Sequence, residues 1–314
     1  MEQLNSAKPN WDDHGLSENP SESSQKPTLR LTRFALLKIA RIDDFLDRFY
    51  EGSIDQAKSF GADMLVFCDR PWMGESLQLP LSDQLEIAVL SFSSFDEWFS
   101  RLGKDTRNEI RKGSKRGVEI RAISEPSGSE AQQIVDLFRE APFREGRYFA
   151  SYDSWNAQRV MAKFRTDDRF VTTAAFYEGK IVGVAKFKFR GKVAVVNNLL
   201  SSLAVRRKIK NVANSLLAEQ IKMLSDRGVR HLTYGKIGVL SGLDHFKRSN
   251  GFKPVTVNYN YILLTRKARL SSRFGFYQPK DIMFSTKLRF VVPLLGSLQA
   301  HLPLTMIQKF HLYA

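Results

Sequence analysis

The strongest chemical signal in the chain is a basic turn that leads into a helix. Four cations, Arg206, Arg207, Lys208 and Lys210, surround a short run of apolar and amide residues, Asn211, Val212, Ala213 and Asn214. The first turn of a helix offers unpaired backbone N–H groups and a partial positive charge, and small side chains let a phosphate approach them. Residues 211–214 could therefore cradle a phosphate, or they could simply open a helix inside a basic loop.

A pair of amides interrupts the otherwise apolar strand predicted at residues 193–200. Asn197 and Asn198 would be costly to bury without hydrogen-bond partners. Contact with a substrate would remove that cost, and so would a bulge bonded to the neighbouring backbone. We assign Asn198 to substrate binding.

Net charge and composition narrow the class of partner. The 314 residues carry a formal charge of +15, which favours nucleic acid, an anionic membrane or phosphorylated small molecules, although a general excess of lysine gives the same number. One cysteine, Cys68, excludes an internal disulfide, and the five histidines lack metal-ligand spacing. Residues 1–25 lack the features of a signal peptide. We expect a cytoplasmic protein without a metal.

The elements that position these residues alternate between strand and helix. Their order is strand, two helices, three antiparallel strands, helix, strand, helix and strand, which predicts a mixed α/β sheet with one crossover. Glu178 and Gly179 form a tight hairpin turn between two of the strands. The predicted strands are 118–123, 170–176, 180–189, 193–200, 229–234 and 252–264, and the predicted helices are 129–140, 154–164, 212–227 and 243–249.

Four segments are predicted along the chain: a disordered lead (1–29), a smaller N-terminal unit (30–116), the α/β domain (117–265) and a C-terminal extension (266–314). In the N-terminal unit, a strand at 85–90 precedes a helix that Ser94 and Glu97 cap. Its apolar face comprises Phe95, Trp98, Phe99 and Leu102. The cations of residues 104–116 form either a solvated helix face or a functional basic patch.

The C-terminal extension combines basic flanks with an apolar stretch. Residues 290–307 carry no charge apart from a potential one on His301, while Pro293 and Pro303 argue against a membrane-spanning helix. The stretch could lie peripherally on an anionic membrane, or it could fold back on the domain.

The basic turn resembles the pyrophosphate loop of GNAT acyltransferases, which reads Gln/Arg-x-x-Gly-x-Gly/Ala and commonly precedes two leucines. Residues 208–213 occupy that place and Leu216-Leu217 falls at the expected offset, but Lys208 replaces Gln/Arg and Asn211 replaces the first Gly. The Asn250-Gly251-Phe252 turn after a short helix resembles the end of such domains. The Phe246-Lys247 pair and residues 107–117 resemble the FemAB-like and BioF2-like branch in particular. The resemblance covers about residues 85–265.

This resemblance implies a GNAT fold: a mixed, mostly antiparallel sheet with flanking helices. It also implies an N-acyltransferase that moves an acetyl or other acyl group from acyl-CoA to the amine of a small molecule or peptide. Lys208 and residues 211–214 would hold the coenzyme. The reaction centre would lie where the strand ending near Ser201 splays from the one ending at Tyr234.

The resemblance also suggests catalytic residues, each with an alternative. Tyr234 could protonate the leaving group, or be a buried structural tyrosine. His245 could act as a base, or form a surface pair with Asp244. Lys247 could stabilise an oxyanion or hold an anionic substrate, or be a solvated helix charge. No glutamate occurs in the strand at 193–200, so a water-relayed base, or none, stays open.

Arg147 and Tyr148 join the two first helices of the domain, where GNAT folds shape the acceptor pocket; a plain connecting loop is the alternative. Two other functions also fit the sequence. The donor could be aminoacyl-tRNA, as in the cell-wall relatives of this branch, or the protein could be a degenerate binding module. With acyl-CoA as donor, we expect RNA to bind only weakly.

Overall fold

The computed structural model describes residues 27–34, 37–42, 45–140, 143–144, 147–148, 152, 154–205, 209, 211–238 and 241–273. Residues 1–26 of the predicted lead and most of the C-terminal extension, including residues 290–307, lie outside the described residues, whereas Leu29, the last residue of the predicted lead, begins a strand. The lead's disorder and the extension's membrane contact therefore stay predictions. Within the described part, no helix is long and apolar enough to cross a membrane.

Strands make up the centre of the molecule, and helices cover them. The strands are β1 Leu29–Phe34, β2 Leu37–Ile42, β3 Met64–Cys68, β4 Ser82–Ser91, β5 Glu119–Ala122, β6 Phe143–Arg144, β7 Arg147–Tyr148, β8 Phe170–Tyr177, β9 Lys180–Arg190, β10 Val193–Ser201, β11 His231–Lys236 and β12 Lys253–Leu263. The helices are α1 Gly52–Ser59, α2 Phe95–Arg101, α3 Lys104–Lys115, α4 Gly128–Glu140, α5 Ala157–Lys163, α6 Val212–Asp226, α7 Ser241–Ser249 and α8 Arg266–Arg273, with a 3-10 turn at Pro71–Met73.

Ten of the described strands form one sheet in the order β1-β2-β3-β12-β4-β11-β10-β9-β8-β5. The pairs β2–β3 and β10–β11 are parallel, and the others are antiparallel. The predicted mixed sheet and its crossover are therefore confirmed. β12 pairs with β3 and β4, so hydrogen bonds of the sheet cross the predicted boundary between residues 116 and 117.

Each face of the central sheet has its own apolar core. On one side, which we call the α6 face, Leu216 and Ile221 of α6 pack with Phe187 and Leu232 of the sheet. On the other side, the α4–α5 face, helix α4 and helix α5 bury a second cluster that includes Phe138, Phe164 and Val184. The two faces also differ in charge, as described below.

The predicted apolar helix of the N-terminal unit is confirmed as α2. The Ser94 hydroxyl accepts from the Glu97 N–H at 3.1 Å, and Trp98 is 1% exposed in the α6-face core. The Trp98 indole N–H donates to the Asn250 carbonyl at 3.0 Å, which ties α2 to the turn after α7.

The charged segment that follows forms α3, and its exposed side fits the solvated alternative, while a functional role of its cations stays a prediction. Lys104, Arg111 and Lys115 are exposed, as expected for a solvated face. The other face packs on the domain: the Thr106 hydroxyl donates to the Ser249 carbonyl at 3.2 Å, and a Cβ on Gly113 would lie 2.2 Å from the Ser215 hydroxyl. Helix α3 therefore lies directly against α6 and the end of α7.

Gly183 of β9 allows the start of α6 to lie close to the sheet. A Cβ at this position would lie 2.6 Å from Val212 Cγ1 and 2.9 Å from the Leu200 carbonyl oxygen. Because one of these obstacles is backbone, a rotamer change cannot relieve the contact. We therefore expect Gly183→Ala to lower the free energy of unfolding by about 1–3 kcal/mol, measured by urea denaturation.

Gly242→Ala is the control for this prediction. No heavy atom among the described residues lies within 4 Å of a Cβ at Gly242, which is in α7. Alanine favours a helix over glycine by up to about 1 kcal/mol, so this variant should be neutral or more stable. If Gly183→Ala unfolds at the same urea concentration as the wild type, the close contact at Gly183 does not stabilise the start of α6.

Candidate active site

β10 and β11 separate in the middle of the sheet, as the sequence predicted. In the described part of the sheet they pair at three positions only, from Val193 opposite His231 to Val195 opposite Thr233. β10 then continues to Ser201 and β11 to Lys236. Two strands that part in this way expose backbone and side chains at their ends, which is where a substrate can lie between them.

The predicted amide pair lies at the start of this separation. The register of β10 against β9 shifts between Val196 and Asn198, so Asn197 is the extra residue of a bulge. A bulge is therefore present at the amide pair, and Asn197 is exposed. Asn198 is half-buried and lies opposite Lys186, and its role in substrate binding stays a prediction.

The start of α6 contains an unsatisfied amide. Asn211 is 1% exposed, and neither its Oδ1 nor its Nδ2 has a hydrogen-bond partner among the described residues. Its backbone angles, φ −117° and ψ 12°, are not the left-handed ones that asparagine could have supplied in place of glycine. Leaving a buried polar group unpaired costs about 1–3 kcal/mol, so this amide favours a polar ligand at the helix start.

Three of the neighbouring residues that the sequence predicts to hold the coenzyme are described by the structure. Val212 is 3% exposed and Ala213 is half-buried. The Asn214 side-chain oxygen accepts from the Asn250 side-chain amide at 3.0 Å, and the Asn214 backbone N–H lies in the first turn of α6, where helix donors have no partner within the helix. Lys208 lies outside the described residues.

For Lys247, the structure excludes one of the alternatives drawn from the sequence. It is not a solvated helix charge, since it is only 2% exposed. Its Nζ donates to the carbonyl of Lys236, the last residue of β11, at 2.5 Å, and lies 4.8 Å from the centroid of the Tyr234 ring. The burial and these two contacts place a cation at the separated end of β11.

Tyr234 is held beside Lys247 by two aromatic contacts. Its ring lies edge-on to Phe246 and Phe252, with centroid distances of 6.5 and 5.8 Å. The ring is half-buried. The structure therefore brings Tyr234 and Lys247 together, and their catalytic roles stay predictions.

His245 has a different environment. It is exposed, and residues two apart on a helix do not share a face, so it is directed away from Lys247. The carboxylate of its neighbour Asp244 accepts from the Gly238 N–H at 3.0 Å. A catalytic role for His245 stays a prediction.

Arg147 and Tyr148 form β7, which pairs with β6, and their side chains lie outside the described part of the structure. Their role in the acceptor pocket stays a prediction.

A row of cations on β9 was not singled out from the sequence. Lys186, Lys188 and Arg190 alternate with Phe187 and Phe189, so the cations share the α4–α5 face. Lys186 is 8% exposed. This strict alternation of cation and phenylalanine was the signal that could have identified the row.

Burial and, to a smaller extent, nearby charges lower the pKa values of two lysines in this row. Burial lowers the pKa of Lys186, with smaller contributions from Lys163 and Arg165 that Asp167 opposes. Burial and the nearby Arg190 lower the pKa of Lys188. His231, whose Nδ1 lies 3.0 Å from the Ser91 hydroxyl, has its pKa lowered by burial, Lys192 and Arg70.

A separate groove of about 540 Å³ runs along the outer side of α6. None of the predicted site residues lines it. The lining residues are Phe95, Ile110, Gly117, Val118, Glu119, Ile120, Ser215, Ala218, Glu219 and Lys222.

No family model and no curated protein matches the chain. Solved structures do: FemX has a TM-score of 0.56 at 11% identity, over 79% of this chain and 86% of that one. L-PGS from Bacillus licheniformis has a TM-score of 0.47 at 13% identity, over 80% and 86%. The tandem GNAT protein from the clavulanic acid biosynthesis pathway has a TM-score of 0.38 at 14%, over 76% and 78%.

At these identities the likeness concerns the fold alone. The mixed, mostly antiparallel sheet with flanking helices confirms the predicted fold class, and FemX shares this fold.

Proposed function

We propose that the protein is an acyltransferase that moves an acyl group from an activated donor to the amine of an acceptor. The observation that carries the proposal is the buried Lys247 ammonium beside Tyr234, at the end where β11 leaves β10. A cation held in a water-poor site stabilises a developing negative charge more strongly than it would in water.

The chemistry needs three events. The acceptor nitrogen attacks the carbonyl carbon, a C–N bond forms, and the carbonyl electrons move to oxygen, where the ammonium of Lys247 stabilises the oxyanion. The bond to the leaving group then breaks as the carbonyl re-forms. The Tyr234 hydroxyl can give the leaving atom a proton and recover it from the acceptor nitrogen through water.

Acyl-CoA is the donor that the start of α6 fits best. The unpartnered Asn211 amide and the first N–H groups of α6 are donors suited to a pyrophosphate, and Ala213 is small enough for close approach. Bound there, acyl-CoA would supply the thioester, and the protein would orient it toward Lys247. The acceptor is a small molecule or peptide that carries the amine.

Aminoacyl-tRNA is the second candidate donor. The observation that favours it is the exposed basic side of α3, which packs against α6 and the end of α7. A cationic helix beside the reaction centre is suited to a nucleic-acid backbone. RNA could also bind this side weakly while acyl-CoA serves as donor.

A salt series separates the two donors. Each phosphate contact to duplex nucleic acid contributes about −0.9 to the slope of log affinity against log salt, so tRNA binding should weaken steeply and acyl-CoA binding only slightly. We expect transfer from acetyl-CoA that changes little between low and moderate salt. RNase-sensitive transfer with a steep salt slope, and none from acyl-CoA, would make aminoacyl-tRNA the donor.

A further inference from the structure

The row of cations on β9, Lys186, Lys188 and Arg190, is unusual because it lies within the sheet rather than at its edge. Lys186 lies opposite Thr172 on β8, and Lys188 lies opposite Phe170. The ammonium groups of both lysines approach one aromatic ring, with Nζ 3.9 Å and 5.9 Å from the centroid of Phe170. Two positively charged groups therefore contact the same aromatic ring.

The surroundings of the row add more positive charge. The Lys186 ammonium donates to the backbone carbonyl of Lys163 in α5. Burial lowers the pKa of Lys163, and so do the charges of Arg159 and Arg30. Arg30 is in β1, so a cation from the N-terminal strand also acts on Lys163.

Acidic residues offset part of this charge. Asp47 pairs with Arg190 and also accepts from the Thr28 N–H at 2.8 Å. The charge of Asp167 favours the protonated form of Lys186. Lys186 and Lys163 nevertheless lie in an environment where neighbouring cations raise the cost of protonation, and a bound anion would offset that cost.

The row lies next to the proposed reaction centre. Lys186 faces Asn198, the first residue of β10 after the bulge, on the segment that has separated from β11. A molecule held by the row could therefore extend an amine into the space between β10 and β11.

We propose that this row binds a compact phosphate group of the acceptor, so that the acceptor is a phosphate-bearing amine. The identification of the ligand as acceptor rests on the proposed acyl transfer, whereas the anion site itself does not. The exposure of the row favours a compact group: Lys186 is 8% exposed, and Lys188 and Arg190 are half-buried. The phosphates of duplex RNA would instead contact exposed cations such as those of α3.

The test is calorimetric titration of the full chain with inorganic pyrophosphate and with phosphoethanolamine, which carries a phosphate and an amine. It is performed in an Ala213→Glu background, which removes anion binding at the start of α6. We expect Lys188→Gln to weaken binding about tenfold or more, because a charge-assisted hydrogen bond is lost. Lys180→Gln, at the exposed start of the same strand, is the matched control and should leave binding unchanged.

A second variant tests whether a loss of phosphate binding is caused by unfolding. Lys186→Met keeps the length of the buried side chain and removes its charge, so it should stay folded, as judged by circular dichroism and Tm, and also lose phosphate binding. No phosphate binding by the Ala213→Glu parent, or equal binding by Lys188→Gln and Lys180→Gln, would overturn the proposal.

Further arms identify the source of the phosphate and separate this proposal from acyl transfer. Binding to vesicles that contain phosphatidylethanolamine but not to phosphatidylcholine vesicles, lost in Lys188→Gln, would support an amine-bearing lipid headgroup; binding of phosphoethanolamine without vesicle binding would support a soluble acceptor. Loss of duplex RNA binding in Lys188→Gln, without any compact-phosphate binding, would overturn the proposal in favour of RNA. Phosphate binding without transfer to any amine would retain the anion site and reject the acyltransferase.

Discussion

Replacing Lys247 with methionine should lower the turnover of acyl transfer by about 100- to 1,000-fold, with donor affinity nearly unchanged. Methionine preserves most of the aliphatic volume beside Tyr234 but removes the charge that lies 4.8 Å from the ring centroid. A loss confined to turnover would show that the charge acts in the transition state. The measurement is a determination of kcat and donor Kd for wild type and variant.

Two controls accompany this variant. Arg248→Met removes an exposed charge from the next position of α7 and should leave turnover unchanged. Tyr234→Phe keeps the ring contacts to Phe246 and Phe252 but removes the hydroxyl, and should lower turnover by a smaller factor than Lys247→Met. Full turnover by both Lys247→Met and Tyr234→Phe would assign the chemistry to other residues.

Ala213→Glu should weaken acyl-CoA binding by about 100-fold or more, since a carboxylate would replace a close approach of phosphate to backbone N–H groups. A negative side chain in the first turn of α6 favours the helix itself, so the variant should stay folded. The measurement is calorimetric titration with acetyl-CoA, with Tm as the test of folding.

Ala213→Gln separates charge from size at this position. Its side chain has nearly the same volume as glutamate without the charge, so its affinity should fall between wild type and Ala213→Glu. Equal affinity of wild type and Ala213→Glu would place the donor elsewhere, whatever the role of Lys247.

Much of the second half of the fold could be predicted because its signals are local. The Glu178-Gly179 turn has positive φ at both residues, 49° and 75°, as its hairpin requires. Helix α6 was predicted within one residue of its observed end. Apolar periodicity and turn residues suffice for such elements because their hydrogen bonds join residues near in sequence.

The position of the N-terminal strands could not be derived in this way. β12 lies between β3 and β4, and its placement depends on contacts between distant residues, such as the Asn258 N–H that donates to Asp69 at 2.7 Å across 189 positions. β1, β2, β3, α1 and α8 were not predicted individually. Their short segments have no local pattern that distinguishes an added half-sheet from a separate domain.

The candidate site also combines residues that the sequence could predict with contacts that it could not. Residues 211–214 were predicted from their residue types at a helix start and Lys247 from the family resemblance. The contacts of Lys247 with the carbonyl of Lys236, eleven positions earlier, and with Tyr234 could not be predicted in this way. The cations of β9 were missed because a strand with alternating charge usually has its charged face in solvent. Helix α5 and Phe170 instead cover that face here.

The most direct test of acyl transfer supplies the wild-type protein with acetyl-CoA or charged aminoacyl-tRNA and a pool of amines from a cell extract, and measures newly acylated amines by mass spectrometry. The structure predicts a product from one of these donors that forms with wild type and with Arg248→Met, and that falls toward the protein-free level with Lys247→Met. A donor that binds, with no acylated amine above the protein-free level for wild type, would contradict acyl transfer and leave a binding module with this fold.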